Sequence, residues 1–547
     1  MDKHLIAGSG GGGGGGGGKG GGGGGGGGGN ANVTTDNLDS KQVARIIDLL
    51  CEGEIEGFPS ARNYTLGTDN YNRAMLKDVF LNNTPVLREG ADPTNVQAAD
   101  YNFDISNAVF EFRTGTQNQT YTQNVGDANQ STSTVNTKVT NASPVARSIT
   151  DTDVNAVRIT IGTPALQVFR NNGDVEGAVI QYRIQTSYAG GPYTTVVESE
   201  IRGRTADLYQ RIHRIDLTAA PPVDIRVVRV SPDAAPSGGT TENSDFYWYD
   251  YTEKINAKTT YPNSALFAVK LNAEQFSSIP QRSYRIRGIK VQIPNNATVN
   301  PSNGRLIYAG TWNGTFAAAQ WTTDPAWILW DLLTAKRYGF GDHIDAAQLD
   351  KWSFLAASQY CAEVVSDGKG GQEPRFACNV VIQTQEEAFK LINDLCSVFR
   401  AMPFWSAGSL EISQDKPQDY SYIFNQTNVT EEGFTYSGSS LKTRHTVAVV
   451  QYFDMDLRDL AYEVVEDKEG IDKFGVVKIE VSAFACTSQG QARRVGEWLL
   501  YTEQNETEIV SFNTDIAAGI TVRPGDLIKI GDPMRAGVVR SGRCTTG

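Results

Sequence analysis

The sequence predicts a multidomain α+β protein that is mainly β. Three observations predict it. Short segments of strict apolar/polar alternation recur from about residue 60 to about 310, as in Val157-Arg158-Ile159-Thr160-Ile161 and Ile180-Gln181-Tyr182-Arg183-Ile184. From Pro325 the pattern changes to helical spacing with capping residues. The chain has 547 residues, and at roughly 100–200 residues per domain that length holds about three to five domains.

From the N-terminus, Gly8 to Gly29 is glycine broken only by Ser9 and Lys19, a tract that cannot bury apolar surface and reads as a tether. Lys19 is followed by more glycine, so the tract lacks the Lys-Ser/Thr pair of a phosphate loop. A short helix is expected next, capped by Ser40, with Val43, Ile46, Ile47 and Leu50 on one face. Glu52, Glu54 and Glu56 alternate with Gly53 and Gly57, but the glycines are misplaced for a calcium loop, and a solvated turn is the better reading. The Asn/Thr/Gln/Ser-rich stretch from about 114 to 144 reads as a long polar loop or hairpin. Alternating segments with turns at Gly190-Gly191-Pro192 and Pro221-Pro222 predict a β-sandwich over 150–235.

Pro325 to Leu333 reads as a helix, with Gly339 beyond its end. Asp345 is placed to cap a second helix reaching about Val365, and Thr384 with Glu387 forms a capping box before a third. Short strands are expected near 376–382 and 409–413. A further helix starts at Ser488-x-x-Gln491 and carries Ala492, Val495, Trp498 and Leu499, and Val522 to Ile530 is a turn into a strand.

The chemistry-bearing residues are dispersed. Six cysteines show no CxxC spacing and read as reduced, mostly buried thiols of a protein made in a cytoplasm. His4, His213, His343 and His445 are isolated from one another, so neither a metal site nor a cofactor is expected. Asp342-His343 has no Gly-x-Ser-x-Gly elbow beside it. Asp415, Asp419, Glu466 and Asp467 read as loop acids. Trp312, Trp321, Trp327, Trp330 and Trp352 offer sugar platforms in principle, but helical spacing makes Trp327 and Trp330 core residues first. Arg282, Arg285, Arg287 and Lys290 form the densest basic stretch and read as the polar face of one strand through Tyr284 and Ile286; a weaker reading is a stripe facing a partner or a DNA path. The net charge of −13 disfavours a duplex-binding protein. There is neither a run of ~18 apolar residues nor a signal-peptide core, so no membrane span or secretory leader is expected. These residues alone lead to a protein without a recognisable active site.

A collinear series of short blocks runs along the chain. They begin with Asp36-Asn37-Leu38-Asp39-Ser40-Lys41-Gln42, Glu52-Gly53-Glu54-Ile55-Glu56-Gly57 and Leu81-Asn82-Asn83-Thr84-Pro85-Val86-Leu87. Tyr261-Pro262-Asn263-Ser264-Ala265-Leu266 and Arg285-Ile286-Arg287-Gly288 follow. The densest part runs from Gly310-Thr311-Trp312-Asn313-Gly314-Thr315-Phe316 through Trp330-Asp331-Leu332-Leu333-Thr334 to Glu373-Pro374-Arg375-Phe376. Cys486-Thr487-Ser488-Gln489-Gly490-Gln491-Ala492 and Pro524-Gly525-Asp526 close the series, which resembles the tail tip attachment protein J (host specificity protein) family of lambda-like phages and keeps that family's order from about 36 to 530. The chain departs from the family in a longer glycine tract, in an insertion between Gly57 and Leu76, and in being shorter.

The resemblance implies the fold of a phage tail hub, with β-barrel-like and α+β domains and an inserted β-sandwich. Its divisions are a tether at 1–34, an N-terminal hub segment at 35–149, a fibronectin-like sandwich at 150–235, a hub β segment at 236–310, an α+β hub domain at 311–420 and a C-terminal hub β domain at 421–547, cut short against the family. It implies a structural central hub rather than an enzyme: a homotrimer that closes the tail tube, organises distal tail proteins and supports host attachment and DNA ejection. Expected partners are the distal tail and tail-tip proteins, the C-terminus of the tape-measure protein, phage DNA in transit without specific binding, and a host receptor through regions absent from this chain. Expected residence is the virion tail tip after assembly in the host cytoplasm. Arg285, Arg287 and Lys290 are the expected subunit contact, with Arg287 near an acid of a neighbour. A cell-wall or polysaccharide hydrolase and a standalone glycan-binding adhesin are the alternatives.

Overall fold

The computed structural model describes residues 43–545, apart from 107, 123–127, 235–239, 257–258, 273–275, 277, 385–386, 407, 439–443 and 536–539. The expected tether, and the Ser40 expected to cap the helix after it, lie outside the described residues. The described chain is mainly β with interspersed helices and divides into two compact units.

One unit is the sandwich, Ala128–Asn256. Its first sheet runs Thr194–Gly203, Ala178–Tyr188, Val223–Arg229, Val145–Ile149; its second runs Tyr209–Asp216, Ala156–Thr163, Tyr247–Asn256, Ala128–Lys138. All neighbours are antiparallel. The unit is therefore wider than 150–235. Its outer strands were hidden in sequence because Ala128–Lys138, within the expected polar loop, is an edge strand of Ser, Thr and Asn. It is held by pairing to Tyr247–Asn256 and by contacts such as Thr132 Oγ1 to Thr252 Oγ1 at 3.0 Å.

Alternation points Ile159 and Ile161, Ile180, Tyr182 and Ile184, and Ile225 and Val227 inward, where they close on Phe246 and Trp248. Two polar groups enter this core with partners. The Tyr182 hydroxyl shares a hydrogen bond with His213 Nε2 at 2.7 Å. The Arg229 guanidinium, only 1% exposed, donates to Ser244 O at 2.5 Å, Pro232 O at 2.9 Å and Ser231 O at 3.2 Å. Gly162 sits where a Cβ would lie 2.1 Å from Tyr209 O, so the central and edge strands approach too closely there for any side chain.

The other unit comprises Lys41–Asp127 and Ala257–Gly547. Its first part is a set of small sheets. Val43–Glu52 pairs with Ser264–Asn272, which pairs on its other edge with Val109–Thr114. This corrects the helix expected after Ser40. Val43, Ile46 and Ile47 are β-branched, and Ser264–Asn272 is buried on both faces and needs a neighbour on each edge. That partner lies more than 200 residues away, outside any local periodicity. Gly115, at φ 90°, leaves the third strand where a Cβ would lie 2.3 Å from Gly53 O.

The basic stretch is also corrected. It is not one strand: Arg282–Tyr284 joins Val79–Leu81, and Arg287–Val291 joins Ile55–Gly57 and Gln320–Trp321 in a different sheet. Among the described residues no sheet closes into a barrel; the sheets are small and open.

The α+β part is built around the helix Pro325–Thr334. Pro325 occupies its first turn, and Asp324 caps it by accepting from Ala326 N and Trp327 N at 3.1 Å each. Against it pack Lys351–Cys361 and Ala388–Val398. The second helix is shorter than expected. Asp345 caps only the 3₁₀ turn Ala346–Gln348, and Asp350 is the true cap. Val364–Ser366 then leaves to pair with Gln372–Pro374. The third helix starts at Ala388, with Glu387 at its cap position making no side-chain bond, so the Thr384 box does not form. Ser409–Gln414 is a strand as expected and pairs with Ala401–Ser406. Residues 376–382 form none, since Cys378 N and Asn379 N bond instead to Thr323 O and Ala485 O.

In the C-terminal part, Val447–Asp454 pairs antiparallel with Asp459–Glu466 and parallel with Lys478–Ser482. The helix Gln489–Asn505 crosses one face and buries Ala492 and Leu500 against Ala448, Val450 and Val465. Ser488 caps this helix through Gln491 N, while the Gln491 side chain bonds to the backbone of Ala377 instead of closing the box. Leu527–Gly531 is the expected strand after the turn and lies parallel to Tyr422–Asn425.

Trp248 is fully buried in the sandwich core. Trp248→Ala is expected to cost the sandwich about 3–5 kcal/mol. Urea unfolding of the full chain should show one transition moved to lower denaturant, with the transition of the other unit unchanged.

Candidate functional site

The described residues offer chemistry little to work with. No group of three or more His, Cys, Asp or Glu side chains among them is arranged to hold a metal ion. The Glu52–Gly57 acids are drawn apart by cations: Glu52 meets Arg337 at 2.7 Å, and Glu54 meets Lys290 at 2.8 Å. All six cysteines are thiols outside any disulfide. Burial pushes the Cys378 and Cys396 thiols up to about 12 and those of Cys51 and Cys486 to about 11, far from nucleophilic thiolates. Asp342 and His343 are exposed on the turn that follows the helix Pro325–Thr334.

One buried polar network is internal to the helical core. Asp324, fully buried at the head of the helix Pro325–Thr334, accepts from Ser358 Oγ at 2.6 Å as well as from two backbone N–H groups. Ser358 Oγ lies 2.5 Å from Tyr308 Oη, which accepts from Trp327 Nε1 at 2.9 Å. Loss of water drives the Asp324 carboxyl up to about 7, against the opposing pull of its three donors. Around the network the indoles pack edge to face: Trp312 to Trp327 at 5.8 Å, Trp327 to Trp330 at 5.8 Å, and Trp330 to Phe354 at 5.2 Å. Trp312, Trp327 and Trp330 are thus core residues. Trp352 is half exposed, and Trp321 lies beneath the Arg287 guanidinium, 4.2 Å from its centroid.

The four basic side chains point to separate partners within the chain. Arg282 meets Asp48 at 2.6 Å, and the Tyr284 hydroxyl donates to the same carboxylate at 2.5 Å. Arg285 meets Asp78, which is completely buried and also accepts from Ser60 N at 2.7 Å. Arg287 is 8% exposed and donates to Pro301 O at 2.6 Å. Lys290 holds Glu54. Arg282, Arg285 and Lys290 thus fasten segments brought together from far apart in sequence, a role invisible without Asp48, Asp78 and Glu54 beside them, while Arg287 ties down the nearby Pro301 carbonyl.

Sequence reasoning passed over the strand Asp459–Glu466. Leu460, Tyr462 and Val464 stand exposed on it, on the sheet face opposite the helix Gln489–Asn505. Strict alternation carried the signal, Leu-x-Tyr-x-Val, but polarity did not tell the wet face from the packed one.

Two family models match parts of this chain: the FNIII-A domain of tip attachment protein J over residues 129–257, and a putative phage tail protein family over 387–544. The first coincides with the sandwich unit. Two curated relatives are named Tip attachment protein J. That of Escherichia phage SECphi27 is 37% identical over 463 residues, covering 84% of this chain and 37% of the relative. That of Escherichia phage SECphi4 is 33% identical over 505 residues, covering 91% and 41%. The chain therefore spans about two fifths of the length of either relative. Among solved structures, the 43 kDa tail protein of prophage MuSo2 from Shewanella oneidensis aligns with 73% of this chain and 91% of its own at 11% identity, with a TM-score of 0.23. Prophage tail protein gp18 from Listeria monocytogenes EGD-e aligns with 33% and 52% at 14% identity, with a TM-score of 0.20. Neither superposition is close enough to carry an argument.

Two outcomes follow from the geometry. The folded Asp324 carboxyl titrates above its unfolded value of 3.8, so between roughly pH 4 and 7 the folded chain binds more protons than the unfolded one. Its contribution to stability is complete below that window and is lost as pH rises through it, by at most about 1.4 kcal/mol per pH unit. Asp324→Asn keeps a capping oxygen and removes the titration. Denaturant unfolding at pH 5 and pH 7.5 should show a larger fall for the wild type than for the variant. Separately, Arg287→Glu sets a carboxylate over Trp321 and against Pro301 O, and should cost the chain itself about 3–5 kcal/mol. Lys290→Glu, at the surface, should cost about 1 kcal/mol or less in the same unfolding measurement.

Proposed function

From a chain related over most of its length to tip attachment protein J, we propose that the protein is a structural component of the phage tail tip, acting as its central hub. The observation that carries this reading is collinear relatedness. One polypeptide holds the FNIII-A domain of that family, a C-terminal stretch of a phage tail family, and identity of 33–37% across 84–91% of its length. Buried, high-pKa thiols and acids tied to cations within the chain support a role through surfaces rather than through bond chemistry.

In this reading three copies close the end of the tail tube and hold the distal tail proteins and the C-terminus of the tape-measure protein. They part to let DNA through. The net charge of −13 suits a passage that must not retain a polyanion. Receptor contact falls to regions beyond this chain. The protein is assembled in the host cytoplasm and resides in the virion. Arg285, Arg287 and Lys290 remain the proposed basic contribution to the subunit contact, Arg285 and Lys290 being only partly covered by their internal partners.

Electron microscopy of virions carrying an epitope on an exposed sandwich loop such as Gly190-Gly191 tests this. Label at the distal tail end, in three copies around the tail axis, is the expected result. Label on the capsid, or another symmetry at the tip, defeats the hub reading. Release of cell-wall fragments by the purified protein would instead favour a hydrolase.

A further inference from the structure

The helix Ala388–Val398 is followed by Phe399 and then by Arg400, whose φ of 57° is left-handed, an uncommon conformation for a residue with a side chain. Such outliers gather where a side chain must be aimed. Here the guanidinium is directed between Trp498, 4.9 Å from its ring centroid, and Phe376, at 5.4 Å. One N–H donates to Arg494 O at 2.9 Å, while Nε is buried without a partner.

What is missing is an acid. No carboxylate among the described residues lies within ion-pair distance of Arg400. The acid whose charge acts on it, Asp415, is turned to Trp498 Nε1 at 2.9 Å and to Arg543 at 2.6 Å. Lys416 adds a second cation without an acid; its ammonium reaches only Ala356 O, at 3.4 Å, and lies 5.8 Å from the Tyr360 ring. The Arg375 guanidinium lies 4.5 Å from the centroid of the same ring, paired to Glu363. Burial and the like charges of Arg494 and Arg375 lower Arg400 to about 10. A chain with 62 acids against 49 bases has no shortage of carboxylates, yet the two acids nearby, Asp415 and Glu363, are each committed to another cation, Arg543 and Arg375.

We propose that Arg400 and Lys416, brought alongside by the hydrogen bond from Asp415 N to Arg400 O at 2.8 Å, form a receptor for a single oxyanion, a carboxylate or a phosphate, supplied from outside this chain. The oxyanion takes the free guanidinium N–H groups of Arg400 as charge-assisted donors, and Lys416 supplies the second charge. The inference stands apart from the tail reading, since it rests only on the unpaired cations.

The test is a titration of the full chain, followed by tryptophan fluorescence, because Trp498 stacks on the guanidinium. Inorganic phosphate and an end-capped Asp-Glu peptide are added in separate series at constant ionic strength, with chloride as the control. A saturable change with either is expected. Saturation by phosphate alone identifies a free-phosphate site, and saturation by the peptide identifies a protein-borne carboxylate. Arg400→Gln with Lys416→Gln should weaken binding at least tenfold, and Arg400→Lys should restore part of it. If the double variant fails to fold, Lys416→Gln alone should still weaken binding severalfold. A response equal to that of chloride, or unchanged by these variants, overturns the proposal.

Discussion

The helix Pro325–Thr334 is buried on nearly every side, and the larger unit is arranged around that constraint. Pro325, Ala326, Trp327, Leu329, Trp330, Leu332 and Leu333 are all covered, so the helix has no wet face and must be wrapped. Trp312 and Phe316 close one side, Phe354 of the next helix another, and Leu395 and Leu410 bring in the third helix and the hairpin. Edge-to-face packing of three indoles sets the spacing of these neighbours. The buried head of the helix then needs a cap that water cannot supply, which is why Asp324, Ser358, Tyr308 and Trp327 bond in series.

A second constraint is the return of the chain. Asp48 with Arg282, Asp78 with Arg285 and Glu54 with Lys290 join residues more than 200 positions apart. Between these halves the sandwich unit begins and ends on one antiparallel pair, Ala128 opposite Asn256. A module whose two ends are neighbours can be inserted in a surface loop with little demand on its host, because the loop closes at nearly its original width. The separation of Val109–Thr114 from its partner Ser264–Asn272 is the mark of that insertion in the host.

Charge follows the same logic. The acids and bases near the N-terminal sheets neutralise one another inside the fold. Arg400 and Lys416 therefore stand out as cations whose partner lies elsewhere, and Leu460, Tyr462 and Val464 as apolar groups left in water.

The sequence by itself determined the elements whose cause is local. Alternation marked Ala156–Thr163, Ala178–Tyr188 and Val223–Arg229, because a strand with one buried face needs period two. Pro325 after Asp324, and Ser488 before Gln491, marked helix starts, because a cap and its orphan N–H groups lie within one turn. The residue blocks carried the family resemblance. Tertiary structure decided whatever depends on a distant partner. Val43–Glu52 has helical spacing yet is a strand, because Ser264–Asn272 offers it an edge. Ala128–Lys138 looks like loop but pairs as an edge strand with Tyr247–Asn256. Arg282, Arg285, Arg287 and Lys290 look like one polar face, but the chain turns at Arg285 and Ile286, and each cation bonds to a different segment. Arg400 has no local signature at all: its environment exists only once Phe376 and Trp498 are packed around it.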